Sequence, residues 1–211
     1  EHLVYTEIVT SSILVSPIMS KAIIIDNFLD HPHLWRLKGL TTKYYNRDNH
    51  PDKTAINGFP GLRSEDISDK TVREKSFAKI QKYFIDNNIP ETPIWGQTNF
   101  RLNHSLTFEH TLFGYHYDNH IHADNPRDNM YLDNRSVDKT YAGIIYLNPG
   151  ADKTYGTNII TGESKYLVEN IFNRFVIYSG TTMHTLAGSW GTNRFNARMV
   201  MTVFLQVSRN E

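Results

Sequence analysis

The chain of 211 residues contains no cysteine, which excludes disulfide bonds, cysteine-ligated zinc ribbons and thiol nucleophiles. Charge of neither sign is in excess, because 22 Lys and Arg residues balance 22 Asp and Glu residues. The composition therefore predicts no basic surface that would bind along a nucleic-acid backbone. No apolar run approaches the length of a membrane span and no signal-peptide pattern is present, so we expect a soluble, intracellular (cytoplasmic) protein.

Short strand-forming segments dominate the chain after residue 94, and Gly and Pro residues separate them. This pattern is typical of a β-sandwich or barrel, which often reaches this length as one domain. We therefore predict a mainly β fold with N-terminal helices and a double-stranded β-helix, or jelly-roll, core. The predicted single domain, 1–211, has an N-terminal extension at 1–21, mixed helical and loop support at 22–93, and the jelly-roll core at 94–207.

Two helices are predicted ahead of the core, and we expect both to pack on one of its sheets. Residues 30–40 form the first helix, with Leu34 and Leu37 facing inward. The second begins at the sequence Thr-Val-Arg-Glu (71–74), which has the form of a capping box, and runs to about residue 87. Its core-facing residues recur at helical spacing: Phe77, Ile80 and Phe84.

A His-x-Asp motif, His122-Ala123-Asp124, is the main candidate for a metal site, together with His184 further along the chain. Side chains alternate between the faces of a strand, so His122 and Asp124 point the same way while Ala123 points away. Two imidazoles and one carboxylate can occupy one face of an octahedral Fe(II) ion and leave the other face open for a co-substrate and O₂. Arg198, a cation behind this site, can hold the far carboxylate of a dicarboxylic co-substrate through a two-pronged hydrogen bond.

Other metal-binding combinations lie nearby. His116-Tyr117-Asp118 fits the same motif equally well, and His120 with His122 would suit a cupin-type site, although no convincing Glu follows. A zinc hydrolase could use a His-rich triad, but zinc prefers four ligands, and the arginine on the last strand would then be unexplained. A jelly-roll module that binds a ligand without catalysis, with a vestigial metal site, is the alternative from another functional class.

The strands that follow the motif distinguish among these candidates. A β-rich run at 141–148 ends in a Pro-Gly turn, further strand-forming runs follow at 156–160 and 172–178, and His184 comes just after a Ser-Gly turn. The last run, 197–205, alternates as a half-buried strand does. It places four residues on one face: Arg198, Val200, Thr202 and Phe204.

This order of elements resembles the 2-oxoglutarate- and Fe(II)-dependent dioxygenases, specifically their prolyl-hydroxylase-like branch. The stretch His122-Ala-Asp-Asn-Pro126 is similar to the His-x-Asp-Asn-Pro stretch of the hypoxia-sensing prolyl hydroxylases, and Arg198-Met-Val-Met-Thr-Val-Phe to their closing Arg strand. Residues 22–29 are similar to the first strand of the group, and the loop at 57–63 to one in uncharacterised relatives, some of which are carried by marine bacteriophages. The resemblance covers roughly residues 22–207 and is specific from residue 122 onward.

The resemblance implies a set of site residues. Fe(II) is held by His122, Asp124 and His184, and Arg198 binds the C5 carboxylate of 2-oxoglutarate. O₂ is the oxidant, and the reaction hydroxylates a C–H bond while it releases succinate and CO₂. Arg194 is the alternative carboxylate anchor, and we favour Arg198 because a strand holds its guanidinium rigidly. Three residues are candidates for the hydroxyl that assists the arginine: Tyr146, Thr157 and Thr202.

The substrate is predicted only as a class. The prolyl-hydroxylase resemblance favours a peptide or protein side chain such as proline, although folds and cofactors persist while substrates change. Free amino acids or other small molecules come next. Modified nucleobases come last, because the net charge of the chain is zero.

Overall fold

The computed structural model describes residues 22–45, 62–94, 99–105, 139–161, 164–180 and 182–209. Within these residues two helices and eleven strands follow one another along the chain. In order they are β1 (Ala22–Ile25), α1 (Pro32–Thr41), β2 (Tyr44–Tyr45), β3 (Leu62–Asp66), α2 (Lys70–Asp86), β4 (Glu91–Pro93), β5 (Asn99–Ser105), β6 (Lys139–Tyr146), β7 (Thr157–Thr161), β8 (Ser164–Val168), β9 (Phe175–Ser179), β10 (His184–Leu186) and β11 (Arg198–Arg209).

Two antiparallel sheets form the core of the molecule. The larger sheet has the order β1-β9-β6-β11-β5-β3-β2, and β4 also pairs with β11. β11 lies at its centre, paired with β5 along Arg198–Phe204 and with β6 along Val200–Val207. The smaller sheet has the order β10-β7-β8. Two antiparallel sheets packed face to face form the predicted jelly roll, and the predicted fold class is confirmed.

Each face of the larger sheet has its own core, because side chains alternate along a strand. On β11, Met199 belongs to the core beneath the helices. Val200 belongs to the core between the sheets, with Ile159 of β7 and Val168 of β8. Arg198 lies two residues from Val200 and shares its face. The side chain of Arg198 therefore points into the jelly-roll interior.

The first helix packs through a different face from the predicted one. Trp35 and Gly39 are buried, whereas Leu34 and Leu37 are each 57% exposed, so the prediction that the leucines face inward was wrong. Gly39 approaches the sheet so closely that a Cβ atom on it would lie 2.5 Å from the sulfur of Met199. This contact and the buried Trp35 ring fix the rotation of the helix. At ~100° per residue, the two leucines then lie on the far side.

The second helix confirms the predicted core residues but corrects the predicted cap. The N-cap is Asp69, whose carboxylate accepts a hydrogen bond from the Val72 N–H at 3.3 Å. Thr71 lies in the first turn of the helix and is not its N-cap. Asp69, two residues earlier, already accepts a hydrogen bond from the Val72 N–H, which has no partner within the helix. Neither helix of the described residues is long and apolar enough to cross a membrane. The predicted core residues are buried: Phe77, Ile80 and Phe84.

The region at 22–93 contributes more than helical and loop support. Four of its segments, β1 to β4, are strands of the larger sheet. β1 pairs with β9, and β4 pairs with the last residues of β11. Strands from 22–93 and strands from 94–207 therefore share the larger sheet.

Candidate functional site

His184 is the predicted metal ligand that lies within the described residues. It begins β10, opposite Ile159 of β7, and is 4% exposed. Its ring lies 4.6 Å from the ring of Tyr178 in the opposite sheet, so the imidazole points into the jelly-roll interior. Its Nδ1 lies 3.0 Å from the Thr182 carbonyl oxygen. Because a carbonyl only accepts, the Nδ1–H donates to it, and Nε2 is the ring atom that would bind a metal.

The other two predicted ligands, His122 and Asp124, lie outside the described residues. The competing candidates His116, Asp118 and His120 lie outside them as well. Within the described ranges, no group of three His, Asp or Glu side chains could hold a metal ion. The metal triad therefore stays a prediction, of which the structure places His184.

Arg198 is held at the start of β11 by neutral groups. Its Nε donates to the backbone carbonyl of Tyr155 at 3.2 Å. The guanidinium carbon lies 5.5 Å from the centre of the Tyr146 ring, a favourable position for a cation over an aromatic face. The side chain is 3% exposed. The guanidinium therefore lies in the interior of the jelly roll, on the face that Arg198 shares with Val200.

The environment of Arg198 makes it a buried cation with unused hydrogen-bonding capacity. Burial lowers the pKa of its guanidinium to about 10, and the nearby phenols of Tyr146 and Tyr178 partly offset this effect. The group therefore keeps its charge at neutral pH. Among the described residues no carboxylate pairs with it, and its buried Nη2 has no hydrogen-bond partner. Such a group is costly to bury, so this part of the interior favours an anion.

Tyr146 and Thr157 join the two sheets beneath this guanidinium. Tyr146 of β6 is fully buried, and its hydroxyl donates to the Thr157 hydroxyl of β7 at 2.8 Å. Burial raises the pKa of Tyr146, so the phenol stays neutral at any physiological pH. Tyr146 thus lies next to the predicted anchor, and Thr157 is bonded to Tyr146.

Thr202, the third candidate, lies on the same face of β11 as Arg198 but further along the strand. It faces Ile144 of β6 and is 9% exposed. Four residues of strand separate it from Arg198, which is about 13 Å at the usual rise. The structure therefore does not bring Thr202 to the guanidinium.

Arg194, the alternative anchor, lies in the loop that precedes β11. It is half-buried, and its guanidinium carbon lies 5.0 Å from the ring centre of Phe195. Its charge acts on Tyr44, where it opposes the rise in the phenol pKa that burial causes. Tyr44 packs against the core beneath the helices and donates to the Gly39 carbonyl at 2.6 Å. The interactions of Arg194 within the described residues therefore include Phe195 and Tyr44, which packs against the core beneath the helices.

Comparison with known proteins finds similarity in structure. No protein-family model and no curated protein matches the chain. A prolyl 4-hydroxylase from Phytophthora capsici matches 88% of this chain at 16% identity, with a TM-score of 0.55, and the chain spans 58% of that enzyme. A prolyl hydroxylase from Trichoplax adhaerens, in complex with a hypoxia inducible factor peptide fragment, matches at 13% identity, 90% and 84% coverage and a TM-score of 0.56.

A third structure gives the wider class. It is an oxidoreductase of the 2OG-Fe(II) oxygenase family from Burkholderia pseudomallei, with 11% identity, 92% and 86% coverage and a TM-score of 0.53. The chain has the fold of the 2OG-Fe(II) oxygenases. The TM-scores and coverages establish the shared fold, and identities this low establish no more. The resemblance to the prolyl-hydroxylase-like branch is therefore confirmed as a resemblance in fold. The predicted enzyme class, the site residues and the link to bacteriophage relatives stay predictions.

Within this oxygenase fold, sequence analysis missed groups that surround Arg198 and His184. A backbone carbonyl such as that of Tyr155 cannot be identified in advance, because every residue has one. The Tyr155 ring stacks on Trp190 at 5.6 Å, and the Asn170 amide donates to the Tyr155 carbonyl at 3.2 Å. Tyr178 could have been found from the sequence, because it lies two residues from Val176 and therefore on the same face of its strand.

Proposed function

We propose that the protein is an Fe(II)- and 2-oxoglutarate-dependent dioxygenase that hydroxylates an unactivated C–H bond. The observation that carries the proposal is the buried guanidinium of Arg198, whose Nη2 has no partner among the described residues. One carboxylate of a dicarboxylic co-substrate would satisfy that atom, and its other end would be available to a metal. The shared fold with 2OG-Fe(II) oxygenases supports this proposal.

The proposed anchor for the C5 carboxylate of 2-oxoglutarate is Arg198 rather than Arg194. Nη2 is the atom of Arg198 that would donate, since Nε is bonded to the Tyr155 carbonyl. Arg198 is favoured because its guanidinium is buried and its Nη2 has no partner among the described residues, whereas Arg194 is half-buried in the loop before β11. Tyr146 is the favoured assisting residue, because its ring lies under the guanidinium.

The proposed metal ligands are His122, Asp124 and His184. Two imidazoles and a carboxylate, with no thiolate, suit Fe(II) and would also accept Mn, Ni or Zn. The bond from Nδ1 to the Thr182 carbonyl holds His184 in the tautomer that a ligand requires. When bound, Fe(II) supplies the activation of O₂ that is coupled to conversion of 2-oxoglutarate to succinate and CO₂. The chain orients the groups and excludes water from the interior.

The proposed substrate is a peptide or protein side chain such as proline. A neighbour of the same fold is a prolyl hydroxylase in complex with a peptide fragment, which supports this class. A free amino acid or another small molecule is the alternative. A nucleic acid is disfavoured, because 22 basic residues only balance 22 acidic ones.

Anaerobic addition of Fe(II) and 2-oxoglutarate to the purified protein tests the proposal. A weak visible charge-transfer band is expected, because the metal and the keto acid would bind each other in the site. Succinate formation is then measured in air across a panel of proline-containing peptides, free amino acids and oligonucleotides. A protein that gives neither the band nor succinate would be a binding module and not an oxygenase. Succinate with the amino acids alone would replace the peptide proposal.

A further inference from the structure

Asn148, the last residue of the Tyr-Leu-Asn run, is buried beside the strand that carries Arg198. The register of β6 and β11, continued past its last pair, would set Pro149 opposite Ala197. Proline has no N–H to donate, so the backbone ladder cannot continue there. Without another donor, the Ala197 carbonyl would be left unsatisfied in the interior of the protein.

The side chain of Asn148 takes the place of the missing backbone groups. Its Nδ2 donates to the Ala197 carbonyl at 3.0 Å, and its Oδ1 accepts from the Met199 N–H at 2.6 Å. The Ala197 carbonyl and the Met199 N–H belong to the two peptide groups that flank Arg198. One amide therefore fixes both peptide planes beside Arg198, and these planes set the direction in which its side chain leaves the backbone.

The guanidinium of Arg198 is held by fewer hydrogen bonds than its backbone. Its Nε is bonded to the Tyr155 carbonyl, whereas Nη2 has no partner among the described residues. A small rotation of the backbone is amplified along the length of an arginine side chain. Displacement of a binding group by about 1 Å can cost orders of magnitude in function. The position of the Nη2 donor thus depends on how firmly the backbone is held.

We propose that Asn148 is a positioning residue for Arg198: it completes the β11 ladder across Pro149 and so aims the guanidinium at the 2-oxoglutarate carboxylate. Asn148 acts through Arg198 and does not itself contact the co-substrate. This inference rests on the proposed function.

The test is the Kd of 2-oxoglutarate for Mn(II)-loaded protein, measured by isothermal titration calorimetry. Asn148→Ala should raise this Kd by about 10-fold, because the donor is no longer held in place. The rate of succinate formation at saturating 2-oxoglutarate should stay within about threefold, since only binding is weakened. If Asn148→Ala does not fold, Asn148→Ser, which has too short a side chain to make both bonds, is measured in its place.

Asn173→Gly is the matched control. Asn173 is also a buried asparagine with two side-chain bonds to backbone, to the N–H and the carbonyl of Leu29 at 2.8 and 3.0 Å. Its φ is 62°, so glycine fits the backbone and only the bonds are lost. Both this variant and Asn148→Ala should melt at a lower temperature than the unmodified protein. Asn173→Gly, however, should bind 2-oxoglutarate with an unchanged Kd.

A double-mutant cycle separates positioning from a general loss of stability. If Asn148 acts through Arg198, Asn148→Ala should not weaken binding further in the Arg198→Ala background. An unchanged Kd in folded Asn148→Ala, an equal loss in Asn173→Gly, or additive effects with Arg198→Ala would each overturn the inference and leave the proposed function intact. Failure of the unmodified protein to bind 2-oxoglutarate would overturn both.

Discussion

Arg198 is the residue on which the proposed binding of 2-oxoglutarate depends. Arg198→Ala removes a charge-assisted hydrogen bond worth about 1.5–3 kcal/mol, so the KM for 2-oxoglutarate should rise by at least ~10-fold. The metal content should not change, because Arg198 is not a proposed ligand. Arg194→Ala is the control and should leave this KM nearly unchanged. The KM is measured in succinate assays. A raised KM in Arg194→Ala together with an unchanged KM in Arg198→Ala would identify Arg194 as the anchor.

The metal ligands are tested by a pair of histidine substitutions. His122→Ala should abolish binding of Fe(II) or Mn(II), whereas His116→Ala should leave it nearly intact. The reason is the order of strands downstream, which favours the second His-x-Asp motif as the partner of His184. Metal content after dialysis is the measurement. Loss of metal in His116→Ala alone would assign the ligands to His116 and Asp118.

The pKa of Arg198 predicts how co-substrate binding depends on pH. Burial lowers this pKa to about 10, so the charged form costs stability at every pH below about 10, and the cost is relieved only as pH rises towards the unfolded value. A bound carboxylate would offset the cost while the guanidinium is charged. The thermal stabilisation given by 2-oxoglutarate should therefore be constant from about pH 7 to 9 and decline above about 10. In Arg198→Ala the stabilisation should be small at every pH, and a decline already at pH 8 in the unmodified protein would contradict the assignment.

At the scale of the element, the start of α2 depends on Asp69. Its carboxylate bonds to Lys38 at 2.7 Å and caps the helix at the Val72 N–H. The hydrogen bond from Lys38 is the largest cause that lowers the pKa of Asp69, and the Val72 bond adds to it. Asp69→Ala should cost about 1 kcal/mol in urea unfolding at pH 7, the usual loss for an N-cap.

The pH dependence of this contribution follows from the lowered pKa. The stability that Asp69 gives is fully present above its unfolded pKa of about 3.9 and is lost as pH falls through the lower folded value. The difference between Asp69→Ala and the unmodified protein should therefore shrink below about pH 4. Thr71→Ala is the control and should change stability by less than ~0.5 kcal/mol. A larger loss in Thr71→Ala would restore the capping box predicted from the sequence.

At the scale of the whole molecule, we predict that the N-terminal strands make the chain one cooperative unit. β1 and β4 are hydrogen-bonded into the larger sheet, and α2 covers one of its faces. A fragment limited to 94–207 would lose these strands and expose that face. We expect the fragment not to fold, and the full chain to unfold in a single transition followed by circular dichroism and by fluorescence. A cooperative transition in the fragment would show an independent jelly-roll domain.

The two faces of the larger sheet serve different purposes. The helix side is lined by apolar side chains and supports the sheet. The interior side combines apolar packing with His184, Tyr146 and Arg198, which are buried polar groups. Burying a charge costs free energy, and apolar packing on both faces of the sheet helps to offset this cost. Hydrophobic packing does not explain why Arg198 is buried on this face, whereas binding of an anionic ligand would explain it.

Local periodicity made some features predictable. The alternation of 197–205 placed Arg198 on the same strand face as Val200, and helical spacing placed Phe77, Ile80 and Phe84 in the core, because these patterns depend only on backbone geometry. The rotation of α1 was not predictable, since it depends on the contact of Gly39 with Met199, far away in the sequence. The N-cap was missed because two candidate acceptors, Asp69 and Thr71, lie two residues apart.

Residue type and local spacing were enough to predict the strand-rich core and the order of its elements. They also gave the candidate ligands His122, Asp124 and His184. The tertiary structure decided which arginine faces the interior beside Tyr146, and which carbonyls orient Arg198 and His184. It also gave Asn148 a partner on each side of Arg198. These features depend on contacts between residues distant in the chain, where any backbone group can serve as a partner. Local spacing carries no information about such contacts.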